Sequence, residues 1–346
     1  MRRNGEVMSI DRIARRVALL GMAAIAFGAT FNAVADEIRV TRQYGLPYLP
    51  LMVMEHEQLL EKHLKAAGVA EPKVTWATMA TTTATVDGLL SGSVDFASSG
   101  ITGLLAMWDK TQNTQTEIRA ISAISSFPYP LVTRDANVKS IKDFTPKDRI
   151  AVPAVKISVQ AIVLQMAAAK AFGQDKRTAL DAMTVSMGHP TAAVAVISGK
   201  SEVDSHFSYP PYSYEELRTP GVHAVLWAND VTNGPATTIE VVTPKRVTQE
   251  HAQWVDAWLA AQREASDFID HHPREAAAMY IAMTNEKKLS AEDLAAILGD
   301  PQVRIGITPS NTMVFARYMH EVGTISHLPA SWKDYFWPVA HGLAGS

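Results

Sequence analysis

The chain has 346 residues, 19% of them charged, a net charge of −3 and no cysteine. The missing cysteines exclude disulfides, thiol catalysis and every Cys-ligated zinc or iron–sulfur site, and the lack of a basic block excludes a nucleic-acid partner. A chain this long can bury a full core without staples, and it exceeds the ~100–200 residues usual for one domain, so two lobes are expected.

The first stretch reads as an export signal. Arg12, Arg15 and Arg16 form a positive region, residues 17–31 are almost uncharged and apolar, and Ala33-Val34-Ala35 gives the small-x-small pattern before a cut at Asp36. A signal peptide is therefore expected over residues 1–35, with Met8 as an alternative start. The apolar run is shorter than the ~20 residues that span a bilayer core. Arg15-Arg16 invites a twin-arginine reading, but the residues behind the pair favour Sec export. This leader carries more basic than acidic residues, so the remainder is more acidic than the whole chain.

Past residue 36, short β-rich runs alternate with helical ones. Residues 38–41 alternate as a strand, and 49–67 read as one amphipathic helix carrying Leu51, Leu59, Leu60 and Leu64, stopped by Gly68. A strand is expected at 73–76. Thr81, Thr82 and Thr83 offer capping hydroxyls to a helix ending at Ser91-Gly92. Then come a strand at 94–96, a helix at 103–110 and a strand at 118–124. This βα alternation predicts an α/β lobe with a mostly parallel sheet flanked by helices. A second such unit follows Phe127-Pro128-Tyr129-Pro130, with strands at 131–133, 150–153, 183–186 and 203–207 and helices at 158–171 and 191–197. Tyr209-Pro210-Pro211-Tyr212 breaks the pattern again, strands follow at 222–227 and 239–242, and the rest is mostly helical. Ser290-Ala291-Glu292-Asp293 resembles a capping box. A helical tail with no sheet of its own has to return to the first lobe. The expected organisation is lobe one at 36–129 and 237–346 and lobe two at 130–236, with two crossings that can hinge over a cleft.

Several motifs in order then resemble a known family. Residues 45–51, Gly-Leu-Pro-Tyr-Leu-Pro-Leu, look like a first strand-to-helix loop, and 89–96, Leu-Leu-Ser-Gly-Ser-Val-Asp-Phe, like a leucine–glycine–small–valine–aspartate signature. Residues 138–144 followed by 149–152 match the segment after the first crossing, and 197–204 repeat the signature in the second lobe. Together they resemble the periplasmic substrate-binding proteins of the nitrate/taurine/sulfonate ABC-transporter family, which have the type II periplasmic-binding-protein fold. The resemblance implies a two-lobed, monomeric periplasmic protein that closes on a small-molecule ligand and delivers it to ABC permease subunits in the inner membrane. It implies no cofactor and no catalysis.

Open α/β sheets bind ligands beyond the carboxyl ends of their strands, where helix N-termini suit an anion. That rule selects Gln43, Tyr44 and Tyr48 after the first strand, Trp76, Thr81 and Thr82 after the second, and Ser98, Ser99 and Gly100 after the third. In the second lobe it selects Lys156, Ser158 and Gln160, then Gly188 and His189, then His206, Ser208 and Tyr209. Hydroxyls and glycine N–H groups can chelate sulfonate or carboxylate oxygens, and the aromatic residues can clamp an apolar body. Plainer roles stand beside these. Trp76 also fits core, Tyr209 a stiffened hinge, Lys156 a solvated face and His189 a helix cap, while Asp95 and Asp204 read as structural.

Enzymatic readings fare worse. The fold-related pyrimidine-precursor synthases and aryl-sulfinate desulfinases depend on cysteine, which this chain lacks. Gly199-Lys200-Ser201 mimics the end of a phosphate loop, but Val194 stands where that loop needs glycine. Neither HExxH nor GxSxG occurs, and no histidine pair, His271-His272 included, has metal-ligand spacing. A sensor module built from the same lobes is a further alternative. The expected ligand is a small organic anion, sulfonate- or aromatic carboxylate-like, with nitrate or a pyrimidine as alternatives.

Overall fold

The computed structural model describes residues 37–79 and 82–346, so the expected signal peptide and the candidate Thr81 lie outside the described residues. The chain opens with β1 (Glu37–Arg42), whose Ile38 and Val40 are buried, followed by the helix Leu49–His56 with Pro50 in its first turn. The single helix expected at 49–67 is instead two. Gln58 takes a left-handed backbone at φ 51°, and a second helix, Leu59–Ala66, starts beyond it. The first helix is buried almost throughout, whereas the second buries only Leu59, Leu60 and Leu64. The break re-aims the chain from a core path to a surface one.

Then follow β2 (Lys73–Thr78), the helix Thr82–Leu90, β3 (Phe96–Gly100), the helix Ile101–Thr111 and β4 (Ile118–Ser126). Across the Pro-rich break come β5 (Pro130–Thr133), β6 (Ile150–Val152), the helix Val159–Phe172, β7 (Thr184–Ser186), the helix His189–Ser198, β8 (Ser205–Phe207), the helix Tyr212–Leu217 and β9 (His223–Trp227). The helix Ala228–Thr232 leads to β10 (Ile239–Pro244). The remainder is helical (Lys245–Glu250, Ala252–His271, Pro273–Thr284, Ala291–Leu298 and Met313–Glu321), interrupted by β11 (Arg304–Ile305). Ser290 and Asp293 do form the capping box, each accepting the other's backbone N–H at 3.1 and 3.0 Å. Among the described residues no helix is long and apolar enough to cross a membrane.

The strands form two sheets, ordered β11-β4-β10-β3-β1-β2 and β7-β6-β8-β5-β9. Most strands of each run one way, as expected: β1, β2, β3 and β4 share a direction in the first sheet, and β6, β7, β8 and β9 in the second, with β10, β11 and β5 reversed. In each, three neighbouring strands pair in parallel (β2-β1-β3 and β7-β6-β8) and the other pairings are antiparallel. The reason is connectivity. Residues that cross from one sheet to the other enter the new sheet at its carboxyl edge, the edge nearer the other sheet, so β5 and β10 run against their neighbours.

Each signature ends at the foot of a strand, opposite the carboxyl edge. Asp95, 1% exposed, accepts the Arg39 backbone N–H and side-chain Nε at 2.9 Å and also pairs with Arg246 from the return segment. Burial alone would raise its carboxyl, but these hydrogen bonds win and hold it below its ordinary range. Asp204 accepts the Ser205 hydroxyl at 2.8 Å and a long Arg149 N–H bond at 3.4 Å, and no arginine side chain among the described residues is hydrogen-bonded to it. There burial wins, and the carboxyl is pushed up.

Candidate ligand-binding site

At the carboxyl edges of both sheets, four helix N-termini point at one small cavity. Thr82 opens the helix Thr82–Leu90, and Gly100 precedes Ile101–Thr111 without a capping side chain. Ser158 caps Val159–Phe172, its Oγ accepting the Ala161 N–H, and Gly188 precedes His189–Ser198. The cavity is lined from the first sheet's side by Gln43, Tyr48, Thr82 and Gly100, and from the second by Ser158, Gln160, His189 and Tyr209. It is narrow: only about 10 Å³ can take the centre of a water molecule, near the minimum for one water.

Contacts across the cavity keep it closed. Thr102 Oγ1 donates to the Ile157 carbonyl at 2.6 Å, and the Tyr209 hydroxyl donates to Thr238 Oγ1 at 2.8 Å. The walls are also close at Gly100, where a built Cβ would lie 3.0 Å from Val159 Cγ2. Its backbone, at φ −68° and ψ 147°, suits any residue. Glycine is needed here for space, not for conformation.

The lining carries no full charge. Burial, reinforced by His206, pushes the His189 imidazole well below its ordinary pKa, which keeps it neutral. Burial likewise raises the phenols of Tyr48 and Tyr209. Attraction for an anion must therefore come from hydroxyl, amide and N–H donors together with the helix dipoles. One donor stands ready, because buried Gln43 Nε2 has no partner among the described residues. Behind the second wall the groups are linked. His189 Nε2 lies 3.4 Å from Gln160 Nε2, His189 Nδ1 2.8 Å from His206 Nε2, and His206 Nδ1 2.8 Å from Glu216 Oε1.

Other candidates lie elsewhere. His206 stands behind His189, and Gly188 contributes only its capping carbonyl, which accepts the Ala192 N–H. Ser98, Ser99 and Ser208 are buried in the frame and off the lining; Ser99 Oγ donates to the Gly100 carbonyl at 3.1 Å. Trp76 packs toward Trp258, ring centroids 6.1 Å apart. Tyr44 is 39% exposed and lines a separate opening with Arg42, Tyr212 and Tyr280. Lys156 is exposed, on a left-handed backbone at φ 66°, where its charge acts on Asp181. Sequence reasoning missed Thr102, Pro153, Val159 and Ile239, which complete the lining. Thr102 could have been found, at the second position of a helix that starts at the selected edge. Ile239 arrives on β10 from a distant part of the chain and carries no local signal. Among the described residues there is no cluster of His, Asp and Glu fit to hold a metal.

No known family's sequence profile matches the chain, and no curated protein matches it in sequence. Its structure is similar to solved ones. The alkanesulfonate-binding protein of Xanthomonas axonopodis pv. citri bound to MOPS superposes with a TM-score of 0.65 at 14% identity, covering 87% of this chain and 98% of that one. The periplasmic nitrate-binding protein of Synechocystis PCC 6803 gives 0.64 at 15% identity, covering 86% and 84%. The ligand-binding component of an ABC-type import system from Staphylococcus aureus, with zinc bound, gives 0.63 at 14% identity, covering 89% and 99%. The chain therefore has the two-sheet periplasmic-binding-protein fold.

Proposed function

We propose that this chain is the solute-binding component of an ABC importer in the nitrate/taurine/sulfonate group, exported to the periplasm by its N-terminal signal and acting there as a monomer. It captures a small organic anion, sulfonate- or carboxylate-bearing, by closing its two halves, and hands it to permease subunits without chemical change. The observation that carries this reading is the convergence of four helix N-termini, two from each half, on one cavity lined by neutral donors. Such a site solvates an oxyanion with fixed dipoles and leaves it free to depart, because no covalent or metal bond holds it. The similar solved structures, an alkanesulfonate-binding protein, a nitrate-binding protein and the ligand-binding component of an import system, agree with the role.

A second reading, a bare oxyanion such as nitrate, is favoured by the cavity's narrowness and by Trp76 and Tyr44 standing outside the lining. A thermal-shift series with methanesulfonate, benzoate, nitrate and uracil separates the two. A ligand at about 100 Kd adds about 2.7 kcal/mol of stability, so the true class stands out as a concentration-dependent rise in Tm. No rise with any of the three anions would sink the anion-binding reading.

A further inference from the structure

Simple solute capture does not require the chain of buried groups behind the second wall. His206 and Glu216 are each 0% exposed, and Glu216 Oε2 has no partner among the described residues. Their connections fix the imidazole tautomers one after another. A carboxylate only accepts, so His206 Nδ1 carries a proton for Glu216. When that is the only proton on His206, its Nε2 accepts from His189 Nδ1–H. The lone pair of His189 Nε2 then faces the cavity, where the Gln160 amide N–H meets it. One more proton on His206 reverses the central bond. His206 Nε2–H now donates to His189 Nδ1, and His189, still neutral, carries its own proton on Nε2, facing the ligand.

We infer that Glu216 and His206 are positioning residues that set whether His189 offers the ligand a lone pair or an N–H, so that capture of an anion draws one proton onto His206. The inference rests on the anion-binding reading above. A lone pair aimed at an oxyanion repels it, whereas an N–H becomes a charge-assisted hydrogen bond. The same proton, taken from solvent, turns a buried carboxylate with a neutral partner into an ion pair, which lowers the cost of its burial. His189 stays neutral in both states because burial and the neighbouring His206 disfavour its charged form.

The groups facing the two histidines from other elements are few. Tyr209 and Tyr212 have rings centred 5.5 and 6.3 Å from His189, and burial keeps both phenols protonated. Gln160 approaches from the helix Val159–Phe172, and Val132 and Ala151 flank His206 on the neighbouring strands. Among the described residues, Glu216 is the one charged side chain hydrogen-bonded to either imidazole.

Histidine ¹⁵N shifts of the full chain report which ring nitrogen is protonated, with or without ligand. His189 should move from Nδ1–H to Nε2–H as pH falls, and saturating methanesulfonate should drive the same change at constant pH. Calorimetry with methanesulfonate in buffers of different ionisation heat should show uptake of up to one proton per anion. Affinity should fall by up to about tenfold per pH unit as pH rises through the relay's titration. Glu216→Gln should freeze the tautomer and flatten the pH dependence. A wild-type His189 tautomer indifferent to both pH and methanesulfonate overturns the inference even if the variant fails to fold, and so does a Glu216→Gln protein with wild-type pH response. Should neither methanesulfonate nor nitrate bind while the tautomer still follows pH, the relay stands and the anion-binding function falls.

Discussion

The two halves present equivalent edges to one cavity but are secured at opposite ends. In the first half the foot is tied, by Asp95 to Arg39 and Arg246, while at the cavity edge Gln43 Nε2 has no partner among the described residues. In the second half the foot is slack, since Asp204 holds a hydroxyl and one long N–H bond, and the cavity edge is wired through His189, His206 and Glu216. The two aspartates end the same sequence signature, yet one carboxyl is held down and the other pushed up. The difference is one of supply. Arg246 reaches Asp95 from the return segment, whereas Arg134 and Arg149, the arginines near Asp204, direct their guanidinium donors to carbonyls. A repeated motif thus fixes a turn without fixing its electrostatics.

The strongest way to break this picture is to prop the halves apart. Gly100→Val introduces a branched side chain where even a bare Cβ lies 3.0 Å from Val159 Cγ2. Methanesulfonate affinity should drop by about 100-fold, equivalent to ~2.7 kcal/mol, with unfolding unchanged because the backbone suits valine. Unaltered affinity in calorimetry would mean that closure at this contact is irrelevant.

The contrast between the feet is tested next. Breaking a buried ion pair costs about 3–5 kcal/mol, and partial exposure of both guanidiniums trims this, so Asp95→Asn should lose about 2 kcal/mol in urea unfolding. Asp204→Asn should stay within about 0.5 kcal/mol of wild type; equal losses would erase the distinction. The pH dependence should differ in sign as well. Asp95 is held low in the folded chain, so its contribution is present above the ordinary carboxylate range and is lost as pH falls below about 4. Asp204 is raised in the folded chain, so it favours folding at low pH, and that contribution is lost as pH rises through its folded value.

The smallest effect concerns the open edge. Gln43→Leu removes a buried amide whose donor has no partner among the described residues, so stability should hold or rise slightly while methanesulfonate binding weakens about tenfold. A loss of stability larger than the loss of binding would show that Gln43 belongs to the frame.

Much of the fold was readable because its cues are local. Alternation marked β1, the threonines at 82 and 83 and Ser290 marked helix starts, and the first Pro-rich break marked a change of sheet, whereas the break at 209–212 lies between two strands of the same sheet. The helix break at Gln58 was not readable, since its residue type does not announce a left-handed backbone. The site was legible as a set of strand-end loops but not as a selection among them. Lys156 is a lone cation just ahead of an apolar helix, and its φ of 66° places it beside Asp181 and outside the cavity. Trp76 lies inside β2, which runs on to Thr78, and packs toward Trp258, more than 180 residues further along the chain.

By itself, the sequence determined the alternation of strands and helices, the absence of thiol chemistry and the loops from which a site can be drawn, because periodicity, capping and composition act over a few residues. Tertiary structure alone decided that the sheets are mixed, that Gln43 and Gln160 meet across one cavity, and that His189, His206 and Glu216 form a connected row. Those outcomes depend on where a crossing chain re-enters a sheet and on which buried polar groups find partners there, and neither is encoded within reach of a single turn or strand.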